Sequence, residues 1–206
     1  MEKHSHETKN ELSSGAALKL LLEGNRRFVE NVRANRDLIR EVKNTANGQS
    51  PYAIILSCID SRLSSELIFD LGIGDVYSAR IAGNIVNSDI IASMEFACKL
   101  SGVKLIMVLG HSNCGAVTGA CADAKLGLLT GLLAKIKPAI EKVESRGDLS
   151  GNNTEAYINE VARVNVLHTA VQITNESEVL SEMVEKDEIQ IVCAMYDVKT
   201  GAVQLL

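Results

Sequence analysis

The sequence has no tryptophan, only two prolines, and an aromatic share of 3%. Little proline argues against a chain of rigid loops and for many helices. No apolar run reaches the length of a membrane span, and the opening MEKHSHETKNELSS has no apolar stretch of the secretory kind, so the cytoplasm is the expected location. Positive charge is not in excess: 21 Lys and Arg against 26 Asp and Glu give a net charge of −5. That balance gives no reason to expect nucleic acid or an anionic membrane as partner. There is no C-x-x-C pair, which leaves a thioredoxin-like redox role without support.

What is present describes an ordinary globular domain. The 206 residues, 46% of them hydrophobic and 23% charged, suffice for one core without disulfides. The five cysteines then read as metal ligands or core residues in a reducing compartment. Residues 1–14 read as a frayed tail and 15–206 as a single domain, of which 15–50 form an N-terminal helical arm. In that arm a helical period runs from Ser14 to about Asn35, interrupted by Gly24, and a polar stretch over 36–50 ends in a turn.

Strands are expected at Tyr52–Ser57, Val76–Ile81, Val103–Leu109 and Gln190–Tyr196, with a last hairpin strand in AVQLL. Helices are expected at Ser64–Leu71, Ser88–Ser101, after Cys114, over Leu126–Val143 with a break at Pro138, and over Thr154–Ile173 and Ser177–Lys186. RGDLSGNN reads as a loop. In Ser88–Ser101 the apolar face is expected at Ile90, Ile91, Met94, Phe96, Ala97 and Leu100. Strands that are apolar on both faces and alternate with helices mark an α/β fold. It has about five strands, mostly parallel with the last antiparallel, flanked by helices.

In such sheets functional groups collect at the carboxyl ends of strands. Cys58 ends the first strand, in SCIDSR, and His111 and Cys114 end the third, in GHSNCGA. Two thiolates and an imidazole make a tetrahedral zinc site with one position left. A helix beginning at Cys114 is expected to lower that thiol's pKa. Cys98, Cys121 and Cys193 read as packing. Asp60 has two open readings beside such a metal: an acceptor that orients bound hydroxide, or a fourth ligand. Arg62 pairs with Asp60, keeping it ionised and off the metal.

Cys58-Ile59-Asp60-Ser61-Arg62 with His111-Ser112-Asn113-Cys114-Gly115 resembles the C-x-D-S-R and H-x-x-C-G signatures of the β-class carbonic anhydrases. The resemblance continues through RIAGN (80–84), ASMEFA (92–97), RVNV (163–166) and AMYDVKTGAV (194–203), and spans about residues 15–206. It implies zinc on Cys58, His111 and Cys114, an Asp60–Arg62 dyad, and reversible hydration of CO2 to bicarbonate by zinc-hydroxide attack. It implies an obligate homodimer with each active site at the subunit interface, N-terminal helices embracing the partner, and dimers that pair into tetramers or larger assemblies. Gln49 stands where one subgroup has a substrate-contacting Gln, and Tyr77, Ala82 and Phe96 would line a small apolar pocket with the Gly115 backbone beside the zinc. Plain core packing is the other reading of Tyr77 and Phe96.

The sequence departs from the family at Ile81, where Asn is usual, and lacks Pro near Ser64–Ser65 and before Gly74. Some relatives close the site at low pH with the aspartate on zinc, using a second bicarbonate site that includes a Trp. With no Trp and with Gln49 present, an open site with Asp60 off the metal is expected. Two other functions stay open: hydrolysis of CS2 or COS on the same scaffold, and a non-catalytic zinc protein. His168 reads as a core histidine on a helix, and His4 and His6 belong to the tail.

Overall fold

The computed structural model describes residues 12–147 and 154–206. The expected tail up to residue 11, with His4 and His6, and the 148–153 part of the expected loop lie outside them. Five strands form one sheet in the order β2-β1-β3-β4-β5. They are β1 (Ala53–Ser57), β2 (Val76–Arg80), β3 (Leu105–His111), β4 (Gln190–Tyr196) and β5 (Val203–Leu205). The first four are mutually parallel and β5 runs antiparallel to β4. This is the doubly wound order in which the winding reverses between β1 and β3, and a crevice opens at their carboxyl ends.

Nine helices occur among the described residues: α1 (Ser14–Val29), α2 (Leu38–Thr45), α3 (Ser65–Ile68), α4 (Ser88–Glu95), α5 (Gly115–Cys121), α6 (Gly127–Ala134), α7 (Lys137–Glu144), α8 (Glu155–Glu176) and α9 (Glu178–Glu185). Two apolar layers result. Ala53, Ile55, Leu105, Met107 and Leu109 face a core shared with α1, α5, α7 and the first half of α8. Ile54, Leu56, Ile106 and Val108 face the other, with α4, α9 and the second half of α8. Every residue of β1 and β3 is buried, as expected of central parallel strands. β4 instead alternates, with Ile191, Cys193 and Met195 only half-buried, because it lies next to the short edge strand β5. Cys193 packs against the core as expected, though only half-buried, while the half-buried His168 is not a full core histidine.

Three sequence expectations change. Gly24 does not interrupt α1: it is buried, and a Cβ there would fall inside the van der Waals radius of the Phe69 carbonyl oxygen. The glycine lets the helix backbone touch the chain beneath it. Asn25 fastens the same turn, donating to the Ile68 and Gly201 carbonyls at 3.0 and 2.9 Å and accepting from Val203 N–H at 2.9 Å. So the α1 part of the arm lies against its own domain.

The polar stretch after residue 36 contains α2, started by the Asp37 carboxylate accepting from Arg40 N–H at 3.0 Å. Its apolar residues Leu38, Ile39 and Val42 are exposed, Ile39 by 68%. After Glu95 the helix continues through a wider π-type turn, Phe96–Leu100, in which Ser101 N–H reaches back to the Phe96 carbonyl. Ala97 and Cys98 turn inward, while Phe96 (52% exposed) and Leu100 (76%) turn out, contrary to the apolar face read from the period.

Gly24→Ala is expected to lower unfolding stability by about 2–3 kcal/mol, the scale of a buried overpacking defect, read as a lower urea midpoint. A midpoint equal to that of the original protein would show that α1 lifts off Phe69 without cost.

Candidate metal centre

The register that pairs β1 with β3 sets Ser57 beside Leu109, so the chain segments leaving the two strands emerge together. Strand β3 runs two residues further than its apolar pattern suggests, and His111 is its last residue. Alternation then points His111, like Leu105, Met107 and Leu109, to the α1/α5 layer. Cys58 follows β1 directly, and Cys114 is the N-cap of α5. Their ligand atoms lie within 4.8 Å of one another, and all three residues are buried.

The donor set fits a zinc ion. The two sulfurs are 4.0 Å apart, close to the ~3.8 Å expected of two thiolates on one tetrahedral zinc with Zn–S bonds of about 2.3 Å. His111 Nδ1 lies 2.9 Å from the Ser112 carbonyl oxygen. A carbonyl only accepts, so Nδ1 carries the proton and Nε2 presents the lone pair of the neutral ring. That Nε2 is buried and has no hydrogen-bond partner. An orphaned acceptor facing two sulfurs, with the opposite ring nitrogen oriented by a carbonyl, is how a metal-binding histidine is held.

The two sulfurs lie within hydrogen-bond reach of each other. The hydrogen bond from Cys114 pulls Cys58 down to about 4 against the pull of burial, helped by Gly83 N–H, 3.3 Å from the Cys58 sulfur. Cys114 moves up. The bond it donates to Cys58 is the main cause and burial the next, and the N–H groups of Val117 and Ala116 at the start of α5 oppose both. The start of α5 does pull Cys114 down, as expected of a helix beginning there, but the facing sulfur and burial outweigh it and the net shift is upward.

Beside this group, Asp60 is gripped on both oxygens. Oδ1 accepts from Arg62 backbone N–H at 3.0 Å and from Arg62 Nε at 2.8 Å, and Oδ2 accepts from Nη2 at 2.7 Å. The guanidinium hydrogen bonds hold the Asp60 carboxyl well below the usual carboxylate range. Arg62 Nη2 also reaches the Asn113 carbonyl at 3.3 Å, which ties the β1 loop to the β3 loop.

Several supporting residues were not singled out from the sequence. Arg80 donates from Nε to the Cys58 carbonyl at 3.1 Å and from Nη2 to the Asp60 carbonyl at 2.7 Å. Its trace in the sequence is the first residue of RIAGN, and the strand register sets it beside Ser57. Gly83, at φ +70°, presents its N–H to Cys58, and its carbonyl accepts from buried Asn165 Nδ2 at 2.8 Å. A polar residue in the apolar RVNV stretch of α8 is the trace of that bond. Ala82 is half-buried in the same short turn, and Gly115 is the exposed first residue of α5.

Gln49, Tyr77 and Phe96 are not near the cysteines of their own chain. Gln49 precedes β1, with its Cβ beside the space over Gly74, at the opposite end of the sheet from Cys58. Tyr77 pairs in register with Ile54, four residues or about 13 Å along the strand from Cys58, and it packs on the other layer. There its ring meets Phe96 edge to face at 6.2 Å, and its hydroxyl donates to Ser101 Oγ at 3.0 Å.

A model of the carbonic anhydrase family matches residues 53–203. Carbonic anhydrase 2 of Mycobacterium tuberculosis is 34% identical over 187 residues, 90% of this chain and 89% of that protein. Among solved structures, the β-carbonic anhydrase CafA of Aspergillus fumigatus superposes with a TM-score of 0.73 at 26% identity, over 93% of this chain and 89% of the other. A structure from a study of two tetrameric β-carbonic anhydrases of Sordaria macrospora superposes at 0.71 and 25% identity, over 78% and 83% of the two chains.

Because the folded Asp60 value is depressed, the stability this pair contributes is present above the unfolded value of about 4. It is lost as pH falls through the folded value. In Arg62→Ala the Asp60 midpoint is expected to rise toward about 4, followed by the side-chain carboxyl 13C signal. A midpoint that stays depressed would assign the effect to another neighbour.

Proposed function

The chain belongs to the β-class carbonic anhydrase family, and from that premise we propose that it catalyses reversible hydration of CO2 to bicarbonate and a proton on a zinc ion held by Cys58, His111 and Cys114. The observation that carries the reading is the three-ligand cluster within 4.8 Å, with an ionised, doubly held carboxylate two residues from one ligand. A zinc ion with three protein ligands and one open position supplies Lewis acidity that makes water nucleophilic near neutral pH.

The chain's own residues supply the rest. Asp60, kept ionised by Arg62, is acceptor-only. With a zinc ion held there, Asp60 would accept a hydrogen bond from water at the site and so orient it for attack on CO2. Arg62 occupies both Asp60 oxygens and so holds the carboxylate away from the ligand set. Ala82 and the Gly115 backbone form the near wall of a small apolar pocket suited to CO2, which has few hydrogen-bonding needs. Five free cysteines suit the reducing cytoplasm. No described helix is long and apolar enough to cross a membrane.

Gln49, Tyr77 and Phe96 complete the pocket from a second copy of the chain. They lie too far from their own Cys58 to serve it, Gln49 is exposed, and Phe96 leaves half its surface open. The active unit is therefore a homodimer, which pairs further as in the tetrameric relatives, with the exposed apolar face of α2 turned to the partner.

In stopped-flow assays of zinc-loaded protein, Asp60→Asn is expected to lower CO2 hydration by about 100-fold or more. Turnover of CS2 or COS with none of CO2 would overturn the substrate. Gln49→Ala and Asp60→Asn chains are expected to be deficient alone. A dimer carrying one of each should recover about half of the normal activity, because one of its two sites is intact. If Gln49 serves its own chain, both sites of that mixed dimer are damaged and nothing is recovered.

A further inference from the structure

The turn between two of the ligands, Ser112-Asn113, makes a sharp bend in which Asn113 takes a left-handed backbone at φ +55°. Asn tolerates that region better than most residues, but it remains uphill. The bend is held from three sides. Ser112 N–H donates to the Tyr196 carbonyl at 3.0 Å, and Ser112 Oγ accepts from Val198 N–H at 3.0 Å. The third hold is Asn113 N–H, which donates to Asn159 Oδ1 at 2.8 Å. Asn159 lies in the second turn of α8, half-buried, where asparagine is a weaker helix former than alanine or leucine.

The far side of the same residue carries the link to the dyad: the Asn113 carbonyl accepts from Arg62 Nη2 at 3.3 Å. The path therefore runs from the Asn159 oxygen, through the fixed Asn113 backbone, to Arg62 and Asp60. We propose that Asn159 is a positioning residue for the reaction, holding the Asn113 carbonyl where it fixes the guanidinium that orients Asp60. Without the Asn159 acceptor, Asn113 N–H has no partner and the bend relaxes toward an ordinary backbone. Arg62 then keeps its bonds to Asp60 but loses its anchor, and the pair turns together.

The inference rests on the carbonic anhydrase reading, so turnover is joined to a readout that does not need it. In zinc-loaded Asn159→Ala, kcat/KM for CO2 is expected to fall about tenfold, the scale of losing a residue that supports a metal site, with zinc content unchanged. Amide hydrogen exchange at Asn113 should quicken, and the Arg62 Nε–H resonance should shift or broaden. Asn159→Asp keeps an oxygen at the same place and should restore most of all three.

A purely structural Asn159 would lower the melting temperature and leave kcat/KM per zinc-loaded chain and the Arg62 resonance unchanged. That result overturns the inference, as does a fall in kcat/KM that Asn159→Asp does not relieve. If Asn159→Ala does not fold, Asn159→Gln, which displaces the acceptor by one methylene, carries the same comparison. A wild-type protein inactive on CO2 removes the proposed reaction, while the Arg62 and Asn113 signals still decide whether Asn159 holds the dyad.

Discussion

A buried imidazole nitrogen without a hydrogen-bond partner, His111 Nε2, is the constraint on which the rest of this structure turns. Such a nitrogen calls for a partner, since a buried polar atom left without one costs about 1–3 kcal/mol, and with Cys58 and Cys114 facing it the group that fits there is a metal ion. The fold places this cluster at the end of the middle strand of its sheet. β3 is buried along its whole length and is flanked by β1 and β4. Close packing of α8 over β3 depends on Gly110, where a side chain would strike Val166 and Met195. That contact brings α8 near enough for Asn165 to reach Gly83 and for Asn159 to reach Asn113. The ligand cluster is thus a property of three parallel strands and one long helix, not of a loop.

The sheet divides labour by end and by face. Its carboxyl end on the α1/α5 face holds the ligands. The opposite face holds Tyr77 and Phe96, and the opposite end holds Gln49. No bending of one chain joins these positions, because β1 and β3 are locked in register. Large apolar side chains are also left exposed on α2 and after Glu95, among them Ile39, Phe96 and Leu100. A reaction centre that needs both sets of residues is complete only when chains associate, which makes assembly a condition of activity in the proposed enzyme.

Most of this fold was legible in the sequence because its signals are local. Strand β4 has the bounds that its apolar run suggests, and Thr154 and Ser177 cap α8 and α9 where the patterns begin. The ligands were legible because residues at the ends of adjacent parallel strands must meet. What was hidden depends on contacts distant in sequence or on a change of helical geometry. Gly24 reads as a break until Phe69 is seen against it. The π-type turn after Glu95 has no glycine or proline to announce it, and Phe96 faces out because it stands about 200° round the helix from buried Met94. Arg80 and Asn159 are ordinary surface residues until the strand register and the position of α8 bring them to Cys58, Asp60 and Asn113.

The Asp60–Arg62 pair shows why polar support extends so far from the ligands. A zinc ion held by Cys58, His111 and Cys114, as proposed, would be neutralised by two thiolates and would withdraw less charge from water than one bound by three imidazoles. Orientation must then supply what the field does not, and a carboxylate on a surface loop orients nothing unless its own freedom is removed. Arg62 alone does not remove it, because its side chain is half-exposed and exposed ion pairs fix little. The restraint comes from the backbone. Arg80 holds the Cys58 and Asp60 carbonyls, and the Asn113 carbonyl, itself set by Asn159, holds the free edge of the guanidinium. An ion pair weak in isolation becomes a fixed acceptor because four strands and a helix converge on the few atoms around it.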